Sequence, residues 1–180
     1  MLMDNLAWGL VVLILWAPVA FVAVCIFYGI KFLIKRKIDF SFKDSLCELL
    51  LLLFIIAILH ITGVIEGFTE ARFGITSIFT GNVWYSLIPF EDGINLATIL
   101  NIILFIPFGF FSSSVFKNLR TKQVYIILIG FSFSVCIEFI QSFCGRCVQL
   151  EDVLMNTLGT FIGYQVYIYL LKFKVKKNLI

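Results

Sequence analysis

Two carboxylic acids and an arginine follow one another closely in an otherwise apolar part of this sequence. Glu138 lies inside the apolar run 124–144, Gln141 follows about one helical turn later, and Arg146 and Asp152 come next. A charged group in hydrocarbon is energetically costly, so an ionisable residue within a membrane is by default paired and functional. Two carboxyl groups in different surroundings can serve as acid and base, whereas a guanidinium can bind a phosphate or carboxylate.

The composition defines the class of protein. Of the 180 residues, 61% are hydrophobic and only 14% are charged, and the mean hydropathy is +1.05. A soluble domain of this size could not bury so much apolar surface. Several apolar runs reach the roughly 20 residues that a helix needs to cross a membrane, and no alternating pattern resembles barrel strands. We therefore predict an all-α, polytopic membrane helical bundle that forms one domain, 1–180.

Five transmembrane helices are expected, at about 6–34, 45–65, 97–116, 124–144 and 153–171. The first run is too long for the apolar core of a secretory signal and lacks a positively charged start, so we expect it to be retained. The outer segment 66–95 is long for a loop, and a re-entrant or interfacial helix is one interpretation of it.

The basic residues predict an orientation. All lysines and arginines except Arg72 and Arg146 lie in or beside the first connection, the third connection and the carboxyl-terminal tail. Five spans put these three segments on one side of the membrane. The positive-inside rule makes that side cytoplasmic, with the amino terminus outside and the carboxyl terminus inside. The net charge of +3 then reflects topology and attraction to an anionic inner leaflet, and no nucleic-acid partner is expected.

This orientation brings polar residues of three predicted helices to one depth, in the outer leaflet. Asn101 lies near the outer start of the third helix, and Asn156 about one turn into the fifth. Glu138 lies about six residues, or ~9 Å, below the outer end of the fourth helix. We therefore predict an outer-leaflet polar cluster that binds a ligand, consisting of Asn101, Glu138, Gln141, Arg146, Asp152 and Asn156.

Each of these residues also has a purely structural interpretation. Glu138 and Arg146 could form a pair that holds two helix ends, and Asp152 could cap the fifth helix. The three amides of the cluster could hydrogen-bond between helices, each bond worth about 1 kcal/mol. Gly159-x-x-x-Gly163 predicts that another helix approaches the fifth one closely.

Neither a cofactor nor a metal is expected. His60 is the single histidine and is expected to be a packing or hydrogen-bonding residue rather than a metal ligand. Cys144 and Cys147 are predicted to face the outside, where a disulfide is permitted, but a two-residue gap gives a strained and reducible bridge. Whether these two thiols are oxidised stays open, and we expect no redox function. Phosphate-binding loops, nucleophile elbows and zinc motifs are absent from the sequence.

The polar residues also follow the pattern of a known family. Residues 101–109, N-I-I-L-F-I-P-F-G, resemble the N-x-x-x-F-x-P-x-G signature of VanZ-like proteins. E-x-x-Q at 138–141, the arginine at 146 and D-V-L-M-N-T-L-G at 152–159 are similar to the rest of it. The segment 87–90, L-I-P-F, resembles the family's N-x-x-P-F segment, with Ser86 where an asparagine is common. The resemblance covers about 85–165.

The resemblance implies a multi-pass protein of a bacterial cell membrane, because VanZ-like proteins are of that kind. The founding member is associated with low-level resistance to teicoplanin, a lipoglycopeptide. We therefore expect a contribution to low-level glycopeptide resistance, in which the polar cluster binds a lipoglycopeptide or a lipid-linked cell-wall (peptidoglycan) precursor. Membrane lipid is the other expected partner, and the oligomeric state stays open.

Two other functions remain as alternatives. An intramembrane enzyme could modify a lipid-linked substrate with Glu138 and Asp152 as its catalytic residues, although no nucleophile or metal completes such a site. A small transporter or a structural accessory protein is the third interpretation. The inner halves of the last three predicted helices are almost wholly apolar, which argues against a path for solutes to the cytoplasm.

Overall fold

The computed structural model describes residues 2–35, 41–69, 85–91, 93–144 and 146–177. Within these ranges the chain forms six helices and two short strands. In chain order they are α1 (Leu2–Lys35), α2 (Phe42–Ile61), α3 (Val64–Thr69), β1 (Tyr85–Ser86), α4 (Leu96–Val115), α5 (Gln123–Phe143), β2 (Val148–Gln149) and α6 (Leu150–Lys177).

Four helices in the described part of the chain are long and apolar enough to cross a membrane. They are Val11–Ile30 within α1, and α2, α4 and α5 over their full lengths. The predicted all-α membrane bundle is therefore confirmed. The predicted fifth span, 153–171, lies within α6, which has 28 residues, two acidic residues in its first turn and lysines in its last turns. A fifth crossing remains a prediction.

Several helix ends depart from the predicted limits by a few residues, and two of these departures affect the polar residues. The predicted second helix, 45–65, is interrupted after Ile61, and α3 begins at Val64. Gly63 between them has φ +73°, a backbone conformation that glycine adopts without a Cβ clash and that ends helices. The predicted fifth helix begins at Leu150, three residues earlier than expected. Asp152 therefore lies within its first turn, and the interpretation of Asp152 as the N-cap of that helix is wrong.

Local chemistry explains where α4 begins. The side chain of Asn95 accepts a hydrogen bond from the backbone N–H of Thr98, and the Thr98 hydroxyl accepts one from the backbone N–H of Asn95. This reciprocal capping box satisfies donors that have no partner inside the helix. Of the predicted outer segment 66–95, residues 70–84 and 92 lie outside the described residues.

The core is built where α4 packs on its neighbours. Buried Ile58 of α2, Phe105 and Phe108 of α4 and Ile137 of α5 form one apolar cluster. The rings of Phe108 and Phe133 stack with centroids 5.0 Å apart. These side chains come from three helices, so this cluster fixes how α2, α4 and α5 are arranged around the site described below.

Beside this core, α4 and α6 pack with their backbones in close contact. A Cβ atom on Gly159 would meet the backbone carbonyl oxygen of Ile102, and one on Gly163 would meet that of Ile106. The predicted close approach at Gly159-x-x-x-Gly163 is confirmed, and its partner is α4. Close backbone contact of this kind is a main source of helix association in a membrane.

The two short strands tie distant parts of the chain together. β1 and β2 pair in parallel, with Tyr85 opposite Val148 and Ser86 opposite Gln149. This pairing joins the segment before α4 to the connection between α5 and α6. Strands of two residues leave no periodic signal, and the sequence did not indicate them.

Candidate ligand-binding site

The carboxyl ends of α2 and α5 and the amino ends of α4 and α6 meet at one end of the bundle, which we call the polar end. All six residues of the predicted cluster lie at or near this end. They form three separate sets of contacts rather than one network, and an open cavity adjoins only one of these sets.

The first set joins Arg146 and Gln141 to the end of α2. Arg146 Nη1 and Gln141 Nε2 both donate to the backbone carbonyl oxygen of Thr62, at 2.7 Å and 2.8 Å. The last carbonyls of a helix have no donor within it, so these side chains complete the end of α2. No ion pair joins Arg146 to a carboxylate within the described residues, so the pair with Glu138 that was one alternative from the sequence is not present.

The second set contains Glu138. Its side chain is 5% exposed, and Oε2 accepts a hydrogen bond of 3.0 Å from the backbone N–H of Gln149. Gln149 belongs to β2, so this carboxylate attaches the strand to the last turns of α5. The carboxylate thus accepts a hydrogen bond from the backbone of the connection that leads to α6. This contact gives Glu138 a structural role.

The third set links α6 to α4 and α5. Asn101 Nδ2 donates to Asp152 Oδ1 at 2.5 Å, and Asn156 Nδ2 donates to Ser134 Oγ at 2.8 Å. Among the described residues, Asn156 Oδ1 and Gln141 Oε1 are buried acceptors without a hydrogen-bond partner. A buried unsatisfied acceptor costs about 1–3 kcal/mol, so both atoms are candidates for a bound water.

Exchanging the two members of the Asn101–Asp152 bond tests this third set. Asn101→Leu is expected to lower the free energy of unfolding by about 1–3 kcal/mol, because the Asp152 carboxylate loses its amide donor. Asn101→Asp is also expected to destabilise, since it puts two carboxyl groups in contact. The double variant Asn101→Asp with Asp152→Asn restores a donor and an acceptor. Unfolding midpoints in detergent measure all three, and a double variant no more stable than N101D would contradict the assignment.

An open cavity of about 320 Å³ lies at the polar end beside the first set. Its walls are formed by Gly63, Glu66, Gly67, Cys144 and Arg146. The two glycines leave room for the larger side chains, because a Cβ on Gly63 would meet the guanidinium of Arg146 and one on Gly67 would meet Cys144 Sγ. Arg146 is the residue of the predicted cluster that lines this cavity.

Sequence reasoning missed two glutamates at this end. Glu66 lines the cavity from α3, but its distance from Arg146 in the sequence gave no reason to connect them. Glu151 is 8% exposed, and its Oε2 accepts from the backbone N–H of Phe90 at 2.9 Å. Phe90 has φ +63°, an uncommon conformation for a bulky residue. The P-F segment at 89–90 could have pointed to Glu151, because the backbone N–H of Phe90 needs an acceptor and Glu151 provides it.

The two cysteines flanking Arg146 are free thiols, Cys144 buried and Cys147 exposed. Burial raises the pKa of the Cys144 thiol. Partial burial and the nearby Glu138 carboxylate raise the pKa of the Cys147 thiol. Both groups are therefore protonated at neutral pH and are weak nucleophiles. Among the described residues, no group of three or more His, Cys, Asp or Glu side chains could hold a metal ion.

Helices of membrane-spanning length with polar residues gathered at one end define an integral membrane protein with a polar site. The chain belongs to the VanZ/LLP1 family, whose model matches residues 46–172. It is similar to Protein VanZ of Enterococcus faecium, with 32% identity over 85 residues, which are 46% of this chain and 51% of the relative. The chain thus spans about half of the length of that curated relative. No solved structure matches it.

Proposed function

We propose that this chain is a multi-pass protein of a bacterial cell membrane that binds the head group of an amphiphile at its polar end. The ligand is a lipoglycopeptide or a lipid-linked cell-wall precursor, and binding contributes to low-level resistance to glycopeptides such as teicoplanin. The observation that carries the proposal is the open cavity lined by the guanidinium of Arg146. The connection to antibiotic resistance is what the resemblance to VanZ-like proteins implies.

In this proposal the polar end faces outward. Lys117, Arg120 and Lys122 follow α4 at the opposite end of the bundle, where Lys117 Nζ pairs with Asp44 of α2. The lysines in the last turns of α6 add to this basic end. By the positive-inside rule we assign it to the cytoplasm, with 153–171 as a fifth crossing. The cavity then lies where a precursor or a lipoglycopeptide meets the outer leaflet.

Arg146 has the chemistry to bind an anionic group there. Its Nη1 is held by the Thr62 carbonyl, while Nε and Nη2 have no acceptor within the described residues. A guanidinium held in this way can bind a phosphate or carboxylate with two parallel hydrogen bonds. Gln141 shares the Thr62 acceptor and supports this arrangement. The other four residues of the predicted cluster lie outside the cavity lining and join α4, α5 and α6 to one another at the same end of the bundle.

The size of the cavity agrees with a head group rather than a whole amphiphile. Pockets for small ligands measure about 300–1,000 Å³, and this one, at about 320 Å³, is at the lower limit. An acyl chain therefore remains outside the cavity, in the bilayer or against the apolar helix faces. A ligand with a compact charged group on a long apolar tail fits these conditions.

The test is the inhibitory concentration of teicoplanin for a susceptible bacterium that expresses the chain. Arg146→Gln is expected to return it to the value of the empty vector, because the anion-binding group is lost. Arg120→Gln, at the opposite end, serves as the matched control and is expected to keep the tolerance. Membrane extracts establish that the variants are present in equal amounts. Full tolerance with Arg146→Gln at equal amounts would overturn the proposal.

Two further measurements separate binding from the alternatives. Lipid-linked precursor incubated with the purified protein is expected to be recovered unchanged by mass spectrometry. A new product would instead favour an enzyme that uses Glu138 and Asp152. Liposomes containing the protein are expected to give no flux of the ligand, and substrate-dependent flux would favour a transporter.

A further inference from the structure

The cavity at the polar end carries charges of both signs. Arg146 reaches it from the connection after α5, and Glu66 reaches it from α3. The Glu66 side chain is 53% exposed, and its Oε1 lies 4.0 Å from His60 Nδ1. An anion alone would be attracted by Arg146 and repelled by Glu66, and for a cation alone the signs are reversed.

Building on the proposed function, we propose that this cavity recognises a zwitterionic head group. The phosphate or carboxylate of the ligand binds Arg146, and a primary ammonium group binds Glu66. A zwitterionic group can bind both side chains at once, because it has a positive and a negative charge. A ligand with charge of only one sign is repelled by one of the two side chains. Glu66 is then the residue that determines specificity.

The backbone around Glu66 is built to hold these two charges beside one cavity. Gly63 and Gly67 lie on either side of Glu66, and the Gly67 backbone N–H donates to the Gly63 carbonyl. Side chains at these two positions would collide with Arg146 and Cys144. The Cys144 thiol is neutral, because burial raises its pKa. Of the described residues that line the cavity, Arg146 is the positive group and Glu66 the negative group, and the others are small or uncharged.

Two phospholipids with identical acyl chains provide the test. Phosphatidylethanolamine and phosphatidylglycerol each carry one phosphate, but only the first has an ammonium group. Native mass spectrometry of the purified chain in detergent measures how much of each lipid stays bound. We expect the wild type to prefer phosphatidylethanolamine about two- to fivefold, the range that one exposed ion pair gives.

Three variants assign this preference to the cavity. Glu66→Gln is expected to abolish the preference and to keep the binding of phosphatidylglycerol, since Arg146 still holds the phosphate. Arg146→Gln is expected to weaken the binding of both lipids. Glu91→Gln, an exposed acid outside the cavity, is the matched control and is expected to behave as the wild type. Thermal stability is recorded for each, and Glu66→Gln should retain it because the side chain is exposed.

Soluble competitors identify where the zwitterion comes from. Phosphoethanolamine that displaces the lipid supports recognition of a phospholipid head group, and an unblocked dipeptide that displaces it supports recognition of a peptide zwitterion. Equal binding of both lipids to the wild type, or a preference that survives Glu66→Gln, would overturn this inference. Loss of teicoplanin tolerance in Arg146→Gln would then still support the proposed function. Conversely, a preference that depends on Glu66 would stand even if Arg146→Gln left the tolerance intact.

Discussion

Replacing Gly163 by alanine is expected to lower the free energy of unfolding by at least about 2 kcal/mol, within the range for overpacking in a tight core. The new Cβ would meet the carbonyl oxygen of Ile106 and the backbone nitrogen of Phe110. Backbone atoms cannot rotate away as a flexible side chain can, so α4 and α6 must separate. This separation weakens the helix pair that carries the most extensive packing in the bundle.

Gly29 provides a control for the effect of alanine in a helix. A Cβ at Gly29 of α1 would meet no heavy atom within 4 Å. Alanine favours the helix over glycine by up to about 1 kcal/mol, so Gly29→Ala is expected to be neutral or slightly stabilising. Both variants are compared by their unfolding midpoints in detergent. Similar midpoints for the two would mean that α4 and α6 do not pack as closely as described.

The second large effect is expected at Glu138. Glu138→Leu removes the acceptor for the Gln149 backbone N–H. That donor is partly buried and loses its partner, so a cost of about 1–2 kcal/mol is expected, in the lower part of the range for a buried unsatisfied group. Glu138→Gln keeps an oxygen that can accept the same hydrogen bond and is expected to lose less than half as much stability. Hydrogen exchange at the Gln149 amide should become faster in Glu138→Leu than in Glu138→Gln. Phe139→Leu, at an exposed position of the same helix, is the control.

This comparison separates the two roles considered for Glu138. If the carboxylate only holds β2, then Glu138→Gln should retain both stability and teicoplanin tolerance. If it binds or protonates a ligand, Glu138→Gln should lose the tolerance while the protein stays folded. The second outcome would mean that Glu138 contacts the ligand. It would favour the enzymatic alternative, in which Asp152 is the other catalytic carboxyl group.

Several features of this protein followed from the sequence alone. The lengths of the apolar runs predicted the membrane bundle, and the spacing of Gly159 and Gly163 predicted a close helix neighbour. The order of the polar residues along antiparallel helices brought them to one end. Length, composition and spacing are local properties, and together with the rise of a helix they determine which residues lie at which level to within about a turn.

Only the tertiary structure decided which groups bond to each other. Glu138 accepts from the backbone of Gln149, and Arg146 donates to the backbone of Thr62. Backbone partners of this kind are independent of residue type, so no pattern of side chains reveals them. The rotation of each helix about its axis and the path of each connection determine these contacts, and both result from packing over the whole bundle. For the same reason the sequence predicted that the polar residues lie at one end of the bundle, whereas only the fold showed that Glu66 and Arg146 line one cavity.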